Sequence, residues 1–550
     1  MLKVLKREGE GIAINKSNDL SKKFLRGAFI LTISAVFVKI LSALYRIPYQ
    51  NIVGDVGFYV YQQVYPFYAF ALVLSTYGFP VIISKLLAEL KEEKSAYTKA
   101  EIIFVSWISL SIVSVALFIS MFVGSGYIAG IMNDPMLQKS IQFVSFGFLF
   151  IPIVSVLKGL FQSEGDTIPT AVSQVAEQSV RVGCILLFAF IFLQYGLSLY
   201  EVAEGAFLGS VIGSLVSGAV LLLFYWRRRK SASTPVINSI NVRRSFMPLM
   251  RMIIGQGLVF SITSLVLVFI QFMDAFLLFP LLSSSGLEVI EAKQWKGIYD
   301  RGQPLLQVGT SATIALSLTI VPLISKYKQQ QNLQVVEKYT ELTFRLSLML
   351  GMAAAAGLLS MMDLVNELLF TNQNGSDALQ ILMISILFYS LMMTGMFVLQ
   401  SLGNTMISIV FICIGLTVKF VLMILLIPKM QIVGAAISTT ACFVVMALLV
   451  MLYVRKINKK PMIISKTFLV IVQAALVMSV VLYVERMIFA ITMNSGSPDR
   501  LMLAFQVLIM VVSGALVYMY YVIRRGIFSE DELALLPLGS KMAKFLPKDK

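Results

Sequence analysis

The residues best able to do chemistry are charged ones embedded in long apolar runs. Lys39 stands in FVKILS, Arg46 in LYRIPY, Arg181 in QSVRVG, Lys419 in TVKFVL and Asp274 in FMDAFL, while Glu177 lies four residues before Arg181. A charge at bilayer depth costs about 2.5–3.5 kcal/mol on insertion scales, so such residues face a cavity, a partner or a pathway. Basic groups dominate the set. A site lined by ammonium and guanidinium groups suits an anion, phosphate in particular, because the guanidinium fork matches its oxygens. Lys39, Arg46, Arg181, Lys419 and Arg301 are therefore the candidate substrate-binding residues. Asp274 and Glu177 are the candidates for ion coupling, able to carry H⁺ or Na⁺ or to neutralise a cation.

Each has a plainer structural account. Glu177 and Arg181 share a helix face, which predicts an intrahelical ion pair. Lys39 can pair with a nearby acid or snorkel, and Arg46 has the length to snorkel to the outer interface. Lys158 reads as an interface anchor, Asp300 and Arg301 as a solvated pair at the outer face, and Asp274 as a hydrogen-bonded structural acid.

Other chemistries are excluded. The 550 residues contain no histidine, which removes imidazole proton relays, the Ser-His-Asp triad and most zinc sites. The three cysteines, Cys184, Cys413 and Cys442, all sit in apolar runs and read as small buried hydrophobes. The sequence thus offers no catalytic residue, metal site or cofactor, and no loop that reads as a catalytic domain. The first 23 residues are polar and basic, and the apolar run behind them is too long for a cleavable signal.

The elements that hold these charges are membrane helices. Hydrophobic residues make up 58% of the chain and charged ones 13%, against about 25% charged in soluble domains; mean hydropathy is +0.84. Fourteen runs approach or exceed the ~20 residues a crossing needs. They lie near 25–47, 59–86, 101–123, 140–162, 169–194, 203–226, 249–279, 303–325, 340–362, 378–401, 406–428, 433–454, 467–489 and 501–523. Lys and Arg cluster before the first run, in alternate loops and in the tail, which predicts cytoplasmic N- and C-termini. Much of the net charge of +16 is then orientation rather than nucleic-acid binding.

The chain repeats itself. LFQSEGDTIPT (160–170) matches VLQSLGNTMIS (398–408) at an offset of 238. YQQVYP (61–66) matches YDRGQP (299–304), and Arg181 falls on Lys419, at the same offset. An offset of six spans keeps direction, so the copies form parallel repeats with a site between them near the midplane. LFQSEGDTIPT itself reads as a tight turn that binds no substrate. The expected fold is an all-α integral membrane protein of 14 transmembrane helices, two parallel six-helix lobes plus two C-terminal helices. Its parts are a cytoplasmic segment 1–23, an N-lobe 24–230, a cytoplasmic linker 231–248, a C-lobe 249–460, a helix pair 461–525 and a cytoplasmic tail 526–550.

RGAFILTISAVFVKILSALYRIPYQNIVGDVGFYVYQQVYPFY, KGLFQSEGDTIPTAVSQVAEQSVRV and IYDRGQPLLQ resemble the multidrug/oligosaccharidyl-lipid/polysaccharide (MOP) exporter superfamily. Within it they resemble the polysaccharide-transporter branch of Gram-positive bacteria, which includes SpoVB-like and MurJ-like lipid II flippases. The resemblance spans about 20–525 and implies a flippase working by alternating access in the bacterial cell membrane. Its substrate would be an undecaprenyl-pyrophosphate-linked envelope precursor, lipid II or another lipid-linked polysaccharide unit. It places the first-helix headgroup cation on Lys39, where MurJ-like proteins carry arginine, with a second near Arg46. The last two spans would flank a groove for the polyprenyl tail. Anionic lipids and envelope-synthesis proteins are the further partners expected. Two other readings stay open: an H⁺- or Na⁺-coupled antiporter of drugs or organic cations of the same superfamily, and a membrane scaffold that does not transport.

Overall fold

The computed structural model describes residues 34, 36–91, 97–229, 242–458, 463, 465–492, 500–529 and 532. The expected segment 1–23, most of the linker 231–248 and most of the tail 526–550 lie outside them. Every regular element described is helical. Hydrocarbon offers no water to the backbone, and a helix satisfies its own N–H and C=O groups. Eleven helices among the described residues are long and apolar enough to cross a membrane. Val36–Leu90 and Thr405–Asn458 run 55 and 54 residues, more than twice the ~20 one crossing needs. Each breaks at one residue, Gly54 (φ 69°) and Gln431 (φ 48°) respectively.

The chain forms two compact units, Met1–Tyr45 with Val64–Val268, and Arg46–Gln63 with Phe269–Lys550. Their borders differ from the expected lobes 24–230 and 249–460: residues 46–63 group with the second unit and 249–268 with the first. Close backbone contact explains the first exchange. A Cβ at Gly297 would overlap the carbonyl oxygen of Asp55, so only glycine lets these two segments of the second unit meet.

In the first unit, the helices Ile168–Gln194 and Leu199–Arg229 pack along a stripe of glycines spaced by four. A Cβ on Gly205, Gly209 or Gly213 would come within 2.7 Å of the Phe192 ring, 2.9 Å of Cys184 Cβ and 2.9 Å of Arg181 Cβ. Small residues at this spacing let membrane helices approach closely enough for dispersion to hold them. The contact fixes the backbone that carries Glu177 and Arg181. The helix Lys99–Ile131 opens on a capping box between Thr98 and Glu101.

In the second unit, Thr405–Asn458 folds back at Gln431, where a Cβ on Gly434 would stand 2.7 Å from the carbonyl of Leu426. The helices Ser465–Thr492 and Arg500–Arg524 are tied to Leu333–Phe370 by polar contacts. Arg486 meets Asp363 at 3.2 Å, Ser360 meets Ser479 at 3.0 Å, and the Tyr518 hydroxyl donates to Met349 O at 2.8 Å.

The repeated turns share one geometry. Gly165 N donates to Gln162 O at 3.0 Å and Asp166 N to Phe161 O at 3.1 Å; Gly403 N donates to Gln400 O at 3.0 Å and Asn404 N to Leu399 O at 2.8 Å. Both are Schellman caps with a left-handed glycine, φ 76° and 75°. In the first unit Glu164 and Asp166 pair with Arg228, and Glu164 also with Lys99. In the second, Lys328 Nζ donates to Leu402 O. The polar residues of LFQSEGDTIPT thus terminate one helix and fasten its end to two neighbours.

Candidate functional site

The deep charges fall into two groups, one per unit. In the first unit Lys39 is half-buried on the first described helix and makes no ion pair or hydrogen bond among the described residues. Lys158 is completely buried, and its ammonium donates to Thr76 Oγ1 at 3.2 Å. An interface anchor would keep its ammonium in water, so the anchor reading is corrected. Thr76 lies in the π-helical turn Leu74–Gly78, a local widening of the helix that often marks functional positions.

Arg181 is also buried. Its Nη2 donates to Gln178 Oε1 at 2.6 Å and to Ser42 Oγ at 3.3 Å, and Ser42 Oγ donates to the same Gln178 oxygen at 2.8 Å. The guanidinium carbon lies 5.1 Å from the Tyr45 ring centroid and 4.8 Å from that of Tyr68. Two aromatic faces and a small polar network therefore orient it. Glu177 lies on the same helix, one turn before Arg181. Glu177, itself buried, lines a cavity of about 10 Å³ with Tyr68, Ser75 and Ser214, room for about one water molecule.

In the second unit the deep cations meet acids. Lys419 Nζ lies 2.6 Å from Asp274 Oδ1, so the anion-site candidate and the ion-coupling candidate neutralise each other. Lys296 pairs with Asp300 at 2.5 Å, both buried. The solvated Asp300–Arg301 pair is corrected accordingly: both side chains are buried, and they take different partners. Arg301 makes five donor contacts, with all three of its nitrogens engaged. Nε donates to Asp55 Oδ1 at 3.0 Å, Nη2 to Asp55 Oδ1 and Oδ2 at 2.7 Å each, and Nη1 to Asn366 Oδ1 at 3.1 Å and Asn372 Oδ1 at 2.9 Å. Its plane faces the Phe370 ring at 5.4 Å. Arg46 is buried in this unit and does not snorkel.

Sequence reading missed Lys158 as a buried cation, and it missed the partners of Arg181 and Arg301. One signal was available. Gln178 stands three residues before Arg181, a spacing that puts both on one helix face. Asp55, Asn366 and Asn372 lie far from Arg301 in sequence, and no local pattern marks them. Among the described residues no cluster of three or more Cys, Asp or Glu is placed to hold a metal ion.

Three kinds of comparison bear on this arrangement. A family model described as polysaccharide biosynthesis protein matches residues 24–328. Among related sequences, the uncharacterized membrane protein YabM of Bacillus subtilis (strain 168) is 39% identical over 524 residues, covering 95% of this chain and 96% of its own length. Stage V sporulation protein B of the same organism is 29% identical over 60% of this chain and 63% of its own. Its Lipid II flippase MurJ is 25% identical over 66% of this chain and 68% of its own. Among solved structures, Lipid II flippase MurJ in an inward closed conformation aligns with a TM-score of 0.63 at 16% identity, covering 90% of this chain and 97% of that one. A multidrug resistance MATE family transporter of the MOP superfamily, inward-facing, aligns at 0.61 and 14% identity, covering 78% and 98%. At such identities the structural likeness establishes the fold alone.

Proposed function

The chain belongs to the polysaccharide biosynthesis protein family, and from that premise we propose that it flips an undecaprenyl-pyrophosphate-linked cell-envelope precursor from the inner to the outer leaflet by alternating access. Lipid II and other lipid-linked polysaccharide units share the headgroup chemistry involved. The observation that carries the reading is Lys39, a cation at membrane depth with no ion pair or hydrogen bond among the described residues. A pyrophosphate would supply the counter-charge. Arg181 is the second headgroup residue of the same unit, set between two tyrosine rings and hydrogen-bonded to Gln178 and Ser42. Lys419 and Arg301, by contrast, are engaged with Asp274 and Asp55, and we assign them to bracing the second unit. The protein works without catalysis or cofactor.

We read the chain as fourteen crossings, with each of the two longest helices crossing twice and Gly302–Gln329 crossing once. Both termini then face the cytoplasm, where the basic loops meet anionic lipid. A negative-inside potential favours outward movement of an anionic headgroup by about 2.3 kcal/mol per charge per 100 mV. A cation antiporter needs an uncompensated acid; Asp274 is engaged with Lys419, which disfavours that reading at this position.

The test is reconstitution of the full chain in vesicles with a fluorescent lipid-linked precursor, scoring dye accessibility to an external quencher. Lys39→Ala and Arg181→Ala should each slow translocation at least tenfold. Wild-type rates in both variants would refute the headgroup site, and no translocation by the wild type would refute the flippase reading.

A further inference from the structure

The carboxylate best placed for ion coupling in the second unit already holds a cation. Asp274 opens the π-helical turn Asp274–Leu278. Lys419 Nζ lies 2.6 Å from Asp274 Oδ1 and 2.6 Å from Thr439 Oγ1, and the Thr439 hydroxyl lies 2.9 Å from that of Tyr299. None of Asp274, Lys419 and Thr439 is more than 2% exposed. Lys419 and Thr439 come from the two arms of Thr405–Asn458, on either side of its break at Gln431, and Tyr299 from Val289–Asp300. The carboxylate and the threonine hydroxyl thus meet at one ammonium group, and the Tyr299 hydroxyl secures the threonine from a further element.

A carboxylate oxygen backed by hydroxyls in a dry interior is the hard-oxygen donor set that takes up inorganic cations. Here the occupant is a positive charge on a covalent tether. Its local concentration does not depend on the salt outside, so a free ion competes with a ligand that is always present. Displacing it would also strand a buried ammonium away from its carboxylate, which is strongly unfavourable. The tether further prevents release to either side of the membrane, so this cation cannot bind on one face and leave on the other.

We propose that the Lys419 ammonium is a built-in occupant of a monovalent-cation site formed by Asp274 and Thr439, and that the second unit therefore works without Na⁺, Li⁺ or K⁺ at this carboxylate. The proposal rests on reading the chain as a transporter. It predicts that the pocket becomes a true ion site once the tether is cut.

The experiment measures thermal unfolding of the purified full chain in detergent, with NaCl, LiCl or KCl replacing choline chloride at constant ionic strength. The wild type should show the same midpoint in all four salts. Lys419→Ser should unfold earlier in choline and recover, saturably, in at least one of the three metal chlorides. Lys419→Ser combined with Asp274→Asn should lose that recovery. A cation-specific shift in the wild type, or none in a folded Lys419→Ser, overturns the proposal. If Lys419→Ser does not fold, vesicle translocation by the wild type decides: equal rates in Na⁺, Li⁺, K⁺ and choline support it, and dependence on any one metal refutes it. Failure of the wild type to translocate while the salt profiles follow the prediction would sink the flippase reading and leave the tethered cation standing.

Discussion

Asp55→Asn separates a structural from a substrate role for Arg301. The substitution keeps the shape of the side chain and removes its charge. Three of the five Arg301 donor contacts go to this carboxylate, at 3.0, 2.7 and 2.7 Å, and Arg301 is fully buried. Breaking a buried pair by removing one partner costs about 3–5 kcal/mol. The Asp55 side chain is 18% exposed, so water offsets part of the loss and the lower end, about 3 kcal/mol, is expected. At 1.36 kcal/mol per decade that is about two orders of magnitude in the unfolding equilibrium. Trp295 lies on Val289–Asp300, the helix that leads directly into Arg301, and its fluorescence reports equilibrium unfolding in mixed micelles. Arg301→Gln should cost a similar amount. The double variant should cost less than the sum of the two, because neither charge is left stranded. An unchanged unfolding midpoint in Asp55→Asn, with translocation abolished in a stable Arg301→Gln, would refute this reasoning and return the guanidinium to the substrate.

Two further predictions concern the first unit. Lys158→Met keeps the length of the side chain and removes a buried ammonium whose one hydrogen bond among the described residues goes to Thr76. Relief of desolvation should raise stability by about 1 kcal/mol or more, and the thermal midpoint with it; a lower midpoint would show that the ammonium serves stability. Gly213→Leu drives a side chain against Arg181 Cβ and Glu177 O, each 2.9 Å from where its Cβ would stand. Overpacking of this kind costs about 1–3 kcal/mol, and translocation should fall with it as Arg181 shifts. Gly183→Ala on Ile168–Gln194, the helix that carries Arg181, meets no atom within 4 Å and should leave both readouts unchanged.

The sequence by itself determined that this is a helical membrane protein, where its repeat lies, and that some charges, Arg181, Lys419 and Asp274 among them, stand inside apolar runs. Each of these is local. Apolar run length reports on bilayer thickness, and an offset of 238 needs only comparison of the chain with itself. The Schellman caps at Gly165 and Gly403 follow from the glycine and its neighbours, so the two turns could be read without a fold. The glycine stripe at 205, 209 and 213 is equally visible as a pattern, though not the helix it faces.

Only the tertiary structure decided which deep charges are neutralised. Arg181 and Lys419 are equivalent by repeat position and similar in chemistry, yet the first is held by Gln178, Ser42 and two tyrosine rings and the second by Asp274 and Thr439. Asp274 lies 145 residues from Lys419, and Asp55 lies 246 from Arg301. Whether a buried cation is available to an anionic ligand depends on acids a few ångströms away in space. In hydrocarbon an ion pair is favoured wherever packing brings two charges together. Packing, set by glycines at helix crossings and by breaks at Gly54 and Gln431, chooses those neighbours, and chain order does not.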